Sequence, residues 1–236
     1  MDNQFSKLTV IFCIPGNRFS DKFLQAWTNT LQALQPKYNM YLSNKYSSQV
    51  NFARALCLGA NVLSGPNQLP FQGQIKYDVI VWLDSDMVFT PKMIDKLIET
   101  CFYQYKVFSG IYAMEGGDLL CCVENWDVDY YKKNGSFQFL SVKEGNEYIK
   151  NKNALRKCAY VGMGCMAIRY GVLEDKRIKY PWFFRNITSF QENDRIITDG
   201  TSEDVSFIRN LIDSNVIDNI TVDLSLRFGH EKTVVI

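Results

Sequence analysis

The apolar positions of the chain fall into short unbroken runs that alternate with stretches of helical spacing. Val79-Ile80-Val81-Trp82-Leu83 contains no polar residue, and residues 8–14 contain only Thr9. Runs of this kind read as strands buried on both faces, the pattern of a parallel sheet covered by helices. Between them, Ser20 opens a stretch in which Phe23, Trp27, Leu31 and Leu34 recur at helical spacing, and Met40-Tyr41-Leu42 reads as a short strand. Ser47-Ser48 is placed to cap a helix reaching Leu58 and carrying Phe52, Arg54 and Leu56. Gly65-Pro66, Pro70 and Gly73 mark residues 61–76 as loop. Thr90 then caps a helix with Pro91 at its first position, and Ile94, Leu97, Ile98 and Cys101 share one stripe.

The second half is less regular. Residues 107–112 form a further apolar strand, after which residues 113–157 are polar, aromatic and glycine-punctuated. Apolar character returns in residues 160–168, which include Gly162 and Gly164, and in a strand over residues 223–228. Val205, Ile208, Leu211 and Ile212 predict a helix over residues 202–213. The alternation of strand and helix in the first half predicts right-handed crossovers and a mostly parallel α/β sheet. A length of 236 residues suits a single domain of that class.

Composition narrows the function classes. At 47% hydrophobic and 14% aromatic residues there is ample material for a packed core. The 26 basic and 25 acidic residues balance to a net +1 without a basic block, so charge gives no sign of nucleic-acid binding. No apolar run approaches the roughly 18 residues of a membrane span. Met1-Asp2-Asn3-Gln4 lacks the basic region and apolar core of a secretion signal. Seven cysteines at irregular spacings, with no CxxC pair, fit reduced thiols in the cytoplasm better than a disulfide framework or a zinc site.

Asp84-Ser85-Asp86 carries the most pointed chemistry, because it follows the Val79–Leu83 run directly. Ligands of open α/β sheets bind beyond the carboxyl ends of the strands. Two carboxylates so close stay ionised near neutral pH when a cation lies beside them, and hard oxygen ligands suit Mg or Mn. The plainer reading is a turn with solvated acids. Glu203-Asp204 opens the predicted late helix, where the helix dipole alone favours acids, and Thr201 with Asp204 resembles a capping box. His230 is the only histidine. Trp126, Tyr130, Tyr131 and Trp182-Phe183-Phe184 fit core anchors, or platforms that stack on sugar rings.

Taken in order, these segments resemble glycosyltransferases of the GT-A fold, in the pattern of the large inverting family 2 and its small viral and phage members. The first strand with Pro15 looks like the strand that ends beside the nucleotide base. Asn51-Phe52-Ala53-Arg54-Ala55-Leu56 is similar to the helix whose Ala-Arg-Asn motif faces the donor, with Ala55 where Asn is usual. Asp84-Ser85-Asp86 matches the DxD motif, Ser202-Glu203-Asp204-Val205 the acceptor-site Glu-Asp motif, and Phe228-Gly229-His230-Glu231 the C-terminal metal histidine.

The resemblance implies a Rossmann-like GT-A domain, with a nucleotide-sugar-binding half over residues 1–112 and an acceptor-binding half over residues 113–236. It implies donor contacts from Pro15, Asn17, Arg54, Asp84, Ser85 and Asp86. It also implies a Mn or Mg ion held by Asp86 and His230, with Asp84 on the ribose or reaching the metal through water. Asp204 is then the general base, and Glu203 orients the acceptor. A UDP-sugar is the favoured donor and a glycan or glycoprotein the acceptor, with inversion, in the cytoplasm or, for a viral protein, the host cytoplasm. The segment from Arg227 onward is expected to be mobile until donor and metal draw it over the diphosphate. A retaining enzyme would share most of these features. A nucleotide-sugar pyrophosphorylase or nucleotidyltransferase would instead show a glycine-rich basic loop after the first strand, of which Pro15-Gly16-Asn17-Arg18 is a poor version. A non-catalytic sugar-binding module would have no use for the full set of acids and the histidine.

Overall fold

The computed structural model describes residues 7–232, so the Met1–Gln4 reading and the last four residues lie outside the described residues. The chain runs through β1 (Leu8–Pro15), α1 (Asp21–Leu34), β2 (Tyr38–Lys45), α2 (Val50–Cys57), β3 (Val79–Leu83), β4 (Met87–Val88), α3 (Pro91–Tyr103) and β5 (Val107–Ile111). It continues through β6 (Cys122–Val123), α4 (Val128–Asn134), α5 (Val142–Lys150), β7 (Leu155–Cys158), β8 (Tyr160–Val161) and β9 (Cys165–Arg169). The hairpin β10 (Ile187–Glu192) and β11 (Arg195–Gly200), α6 (Glu203–Asp213), β12 (Ile220–Arg227) and β13 (Gly229–His230) complete it.

The expected mostly parallel α/β sheet forms, flanked by helices in one domain. Its order is β2-β1-β3-β9-β5-β12-β7. β1 pairs in parallel with β2 and β3, and β12 with β5, whereas β9 runs antiparallel between β3 and β5 and β7 antiparallel along β12. Alternation on the central strands divides two cores. Val79, Val81 and Leu83 face the side covered by α1 and α3, with Phe23, Ile94 and Leu97. Ile80 and Trp82 face the side covered by α2 and α6, with Cys57, Phe207 and Leu211. All five β3 residues are buried, as an unbroken apolar run on a doubly covered strand requires.

Several expectations need correction. The α2 helix starts at Val50 with Gln49 as its cap residue and no side-chain cap, so Ser47-Ser48 does not begin it. Phe52 and Leu56 of α2 are exposed, and the small residues Ala53, Ala55 and Cys57 face the sheet with Arg54. Thr201 and Asp204 form no capping box, because Ser202 is the cap residue and the Thr201 hydroxyl lies 2.5 Å from that of Ser206. Residues 160–168 do not make one strand: the two glycines separate β8 from β9. Gly162 carries no side chain because a Cβ there would overlap the Tyr112 hydroxyl. Trp182 and Phe183 are core residues at 0% and 2% exposure. At the C-terminal end of the described residues, Gly229 and His230 pair with Val88 and Met87, and the Glu231 N–H donates to the Asp86 carbonyl at 2.9 Å.

Candidate functional site

The site lies beyond the carboxyl ends of β1 and β3, where an open α/β sheet presents ligands. β3 ends at Leu83, and the chain turns through Asp84, Ser85 and Asp86 before the short β4. Gly16, at φ 142°, packs against this turn, and a Cβ there would lie 2.5 Å from Ser85 Oγ. Pro15, the last residue of β1, is buried and Asn17 is exposed on the loop that follows, which Asn44 Nδ2 holds by donating to the Ile14 and Gly16 carbonyls at 2.7 and 2.8 Å.

Asp86 meets the C-terminal segment. His230 Nε2 and Lys232 Nζ both lie 3.2 Å from Asp86 Oδ2. His230 Nδ1 is 3.1 Å from the Ala113 carbonyl, which can only accept, so this nitrogen carries a proton. In the neutral ring Nε2 then turns a lone pair toward a carboxylate oxygen, and two facing acceptors require a proton or a cation. Burial pushes the Asp86 carboxyl up, but hydrogen bonds from His230 and Lys232 outweigh it and hold the group below its usual range. The Asp86 hydrogen bond correspondingly raises the His230 pKa above 6.5. Glu231 is fixed by the Ser20 hydroxyl, the cap of α1, and by Lys22 at 3.2 Å.

Asp84 faces the other way. Arg54, 2% exposed on α2, donates from Nη2 to Asp84 Oδ2 at 3.2 Å and from Nε to Glu203 Oε1 at 3.1 Å. Arg54 Nη2 is also 3.0 Å from Asp84 Oδ1, but off the N–H axis, so this buried oxygen accepts no hydrogen bond. Burial raises the Asp84 carboxyl, with Arg54 opposing and Asp86 reinforcing the shift. Arg54 is therefore a bridge between the acidic turn and the start of α6, and Glu203, 6% exposed, spends its carboxylate on that bridge.

Asp204, the next residue, points elsewhere. Its Oδ1 accepts from the Ser202 hydroxyl and from the Val205 N–H at 2.8 Å, which fixes the carboxylate at the helix start. Asp204, His230, Lys232 and Tyr112 line one cavity of about 350 Å³. Glu203 is not among its walls. The structure thus brings Asp86 to His230, sets Asp204 in the cavity that His230 also lines, links Asp84, Arg54 and Glu203 by ion pairs, and leaves Pro15 at the end of β1 and Asn17 on the loop after it. Sequence reasoning missed Lys232, for which a lysine near the end of a chain gives no signal.

Among the described residues no three acidic, histidine or cysteine side chains form a ready-made metal cage. The donor set of Asp86 and His230 nevertheless fits a hard divalent cation, because a carboxylate oxygen there faces an imidazole lone pair. Mg-type sites commonly use one or two carboxylates and leave the remaining positions to water and substrate phosphates.

No family model and no curated protein matches the chain. Among solved structures it is similar to A197 from STIV, at 14% identity over 97% of this chain and 96% of that one, with a TM-score of 0.47. It is similar to glucosyl-3-phosphoglycerate synthase from Mycobacterium tuberculosis, solved with Mn2+, UDP-glucose and phosphoglyceric acid, at 12% identity over 98% and 74%, TM-score 0.45. A third is TarS from S. aureus, at 11% identity over 95% and 60%, TM-score 0.46.

Proposed function

We propose that the chain is a divalent-cation-dependent glycosyltransferase that moves a sugar from a nucleoside-diphosphate donor, a UDP-sugar in preference, to a hydroxyl of a glycan or glycoprotein acceptor with inversion. The observation that carries this reading is the meeting of three distant stretches: Asp204 and His230 line one cavity, and Asp86 touches the imidazole at 3.2 Å. Asp86 and His230 would hold Mn or Mg, with Asp84 on the ribose or reaching the metal through water. When bound, the ion stabilises the charge that builds on the diphosphate as the sugar departs.

Asp204 takes the proton of the acceptor hydroxyl while that oxygen bonds to the anomeric carbon. The bond from the anomeric carbon to the diphosphate breaks, and its electron pair stays on the phosphate oxygen. Attack on the face opposite the leaving group inverts the centre. Pro15, Asn17 and Ser85 flank the donor, and the Arg54 bridge positions Asp84 against α6. Residues 1–112 carry the donor contacts and residues 113–236 the acceptor contacts, with His230 and Lys232 reaching back to the donor side.

The test is hydrolysis of UDP-, GDP- and dTDP-sugars with Mn and without acceptor. One donor should be cleaved slowly, chelator should stop the reaction, and added Mn should restore it. Asp86→Ala should abolish it. Asp204→Asn should leave Mn and UDP binding intact while transfer falls by roughly 100-fold or more. Full activity in excess chelator would remove the metal, and a requirement for pyrophosphate or a nucleoside triphosphate would move the chain to the nucleotidyltransferases.

A further inference from the structure

The Asp204 cavity does not end at Asp204. Phe139, Tyr160 and Val205 are shared with a second cavity of about 190 Å³. That cavity in turn shares Trp126, Thr188 and Thr201 with a third of about 280 Å³. The three are neighbours in a row that starts at the proposed base, and the β10–β11 hairpin lines the second and third through Thr188. The middle cavity is aromatic and polar at once. Tyr131 packs on Phe137 and Phe190 at centroid separations of 4.8 and 5.3 Å, and Trp126 stacks on Phe137 at 4.0 Å. Among these rings stands a carboxylate: Asp199 accepts from the Tyr131 hydroxyl at 2.5 Å and from the Gly200 N–H at 2.7 Å, so its orientation is set. Each carboxylate oxygen keeps lone-pair capacity for a ligand hydroxyl.

We infer that this row of cavities holds an oligosaccharide acceptor, one ring lying against Phe190 and Phe139 with its hydroxyls on Asp199, and the next unit toward Arg209. The inference rests on the transferase reading and narrows its acceptor to an oligosaccharide with a stated place. A pyranose has C–H faces that pack on aromatic rings and an edge of hydroxyls that needs acceptors. Rings and a fixed carboxylate in one cavity meet both needs. An acyl chain would offer no donor to the Asp199 oxygens. A single monosaccharide would leave the third section unused, where Arg209 stands over Trp126 at 4.7 Å.

The test uses calorimetric titration of the folded protein, with and without Mn and UDP. The probes are tetrasaccharides of glucose, galactose, mannose and N-acetylglucosamine, the matching monosaccharides, and octanoate as an apolar control. At least one tetrasaccharide should bind more tightly than its monosaccharide. Phe190→Ala should weaken that binding by about tenfold, the scale of one aromatic contact. Phe190→Trp should keep it, and Asp199→Asn should weaken it independently. Binding of octanoate alone, no binding by any tetrasaccharide, or affinity unchanged in both Phe190→Ala and Asp199→Asn would overturn the inference. If a tetrasaccharide binds while Mn and UDP do not, the transferase reading fails and the cavity assignment stands. Donor hydrolysis with no oligosaccharide binding would keep the transferase reading and remove the cavity assignment.

Discussion

At the scale of single residues, the site turns on how His230 shares a proton with Asp86. The Asp86 hydrogen bond lifts the native imidazole above its ordinary 6.5, so the metal-free protein binds this proton more tightly than the unfolded chain. The resulting stabilisation is complete below about pH 6.5 and fades as pH rises through the native value. Proton NMR of the metal-free protein should therefore show His230 titrating above 6.5, and Asp86→Asn should bring it down. A titration unchanged by Asp86→Asn would separate the two side chains. Mn must displace that proton, so its binding should release protons and tighten as pH rises. Asp86, His230 and Asp204 could be picked out as candidates because each is a chemically distinctive residue at a recognisable place: after a buried strand, after a glycine, at a helix start. Arg54 and Glu203 were legible as types but not as a pair, since a contact across 149 positions leaves no local pattern.

The elements that position those residues are held by ordinary core packing. The α6 helix is anchored by Phe207, Ile208 and Leu211, all at 0% exposure, and Phe207 packs on Phe183 at 4.9 Å. Phe207→Ala should cost about 3–5 kcal/mol, read as a lower urea midpoint at unchanged slope. It should also lower transfer more than it lowers UDP binding, because α6 starts at Glu203 and Asp204. Equal losses in both would mean that α6 does not position the base separately. The strongly periodic helices α1 and α3 were readable within a residue or two, since a stripe and a cap both spoke for them. The α5 helix had a readable start in Ser141 and Glu144, a true capping box, hidden within a stretch that otherwise looked irregular. The β10–β11 hairpin went unread because burial along β10 alternates while polarity does not follow it: Thr188, Phe190 and Glu192 are half-buried and Ile187 is exposed.

At the scale of the molecule, the sheet order has a consequence for how the chain can be divided. The proposed donor half, residues 1–112, and the proposed acceptor half, residues 113–236, are consecutive in sequence, yet their strands interleave across the sheet: after β3 come β9, β5, β12 and β7. Cut at residue 112, the first half would keep β2, β1 and β3 together but leave β5 without a neighbour. The inner edge of β3, five residues with no exposed side chain, would lie open. An uncovered apolar edge invites pairing with other chains. Residues 1–112 made alone should therefore sediment as aggregate, and making residues 113–236 in the same cell should return both as a soluble heterodimer. A soluble monomer of the first piece would contradict this. Residues 1–112 and 113–236 are woven rather than joined end to end, so neither can be borrowed as a cassette by another protein. New acceptors would have to be reached by editing the hairpin at the margin, which contributes no strand to the main sheet.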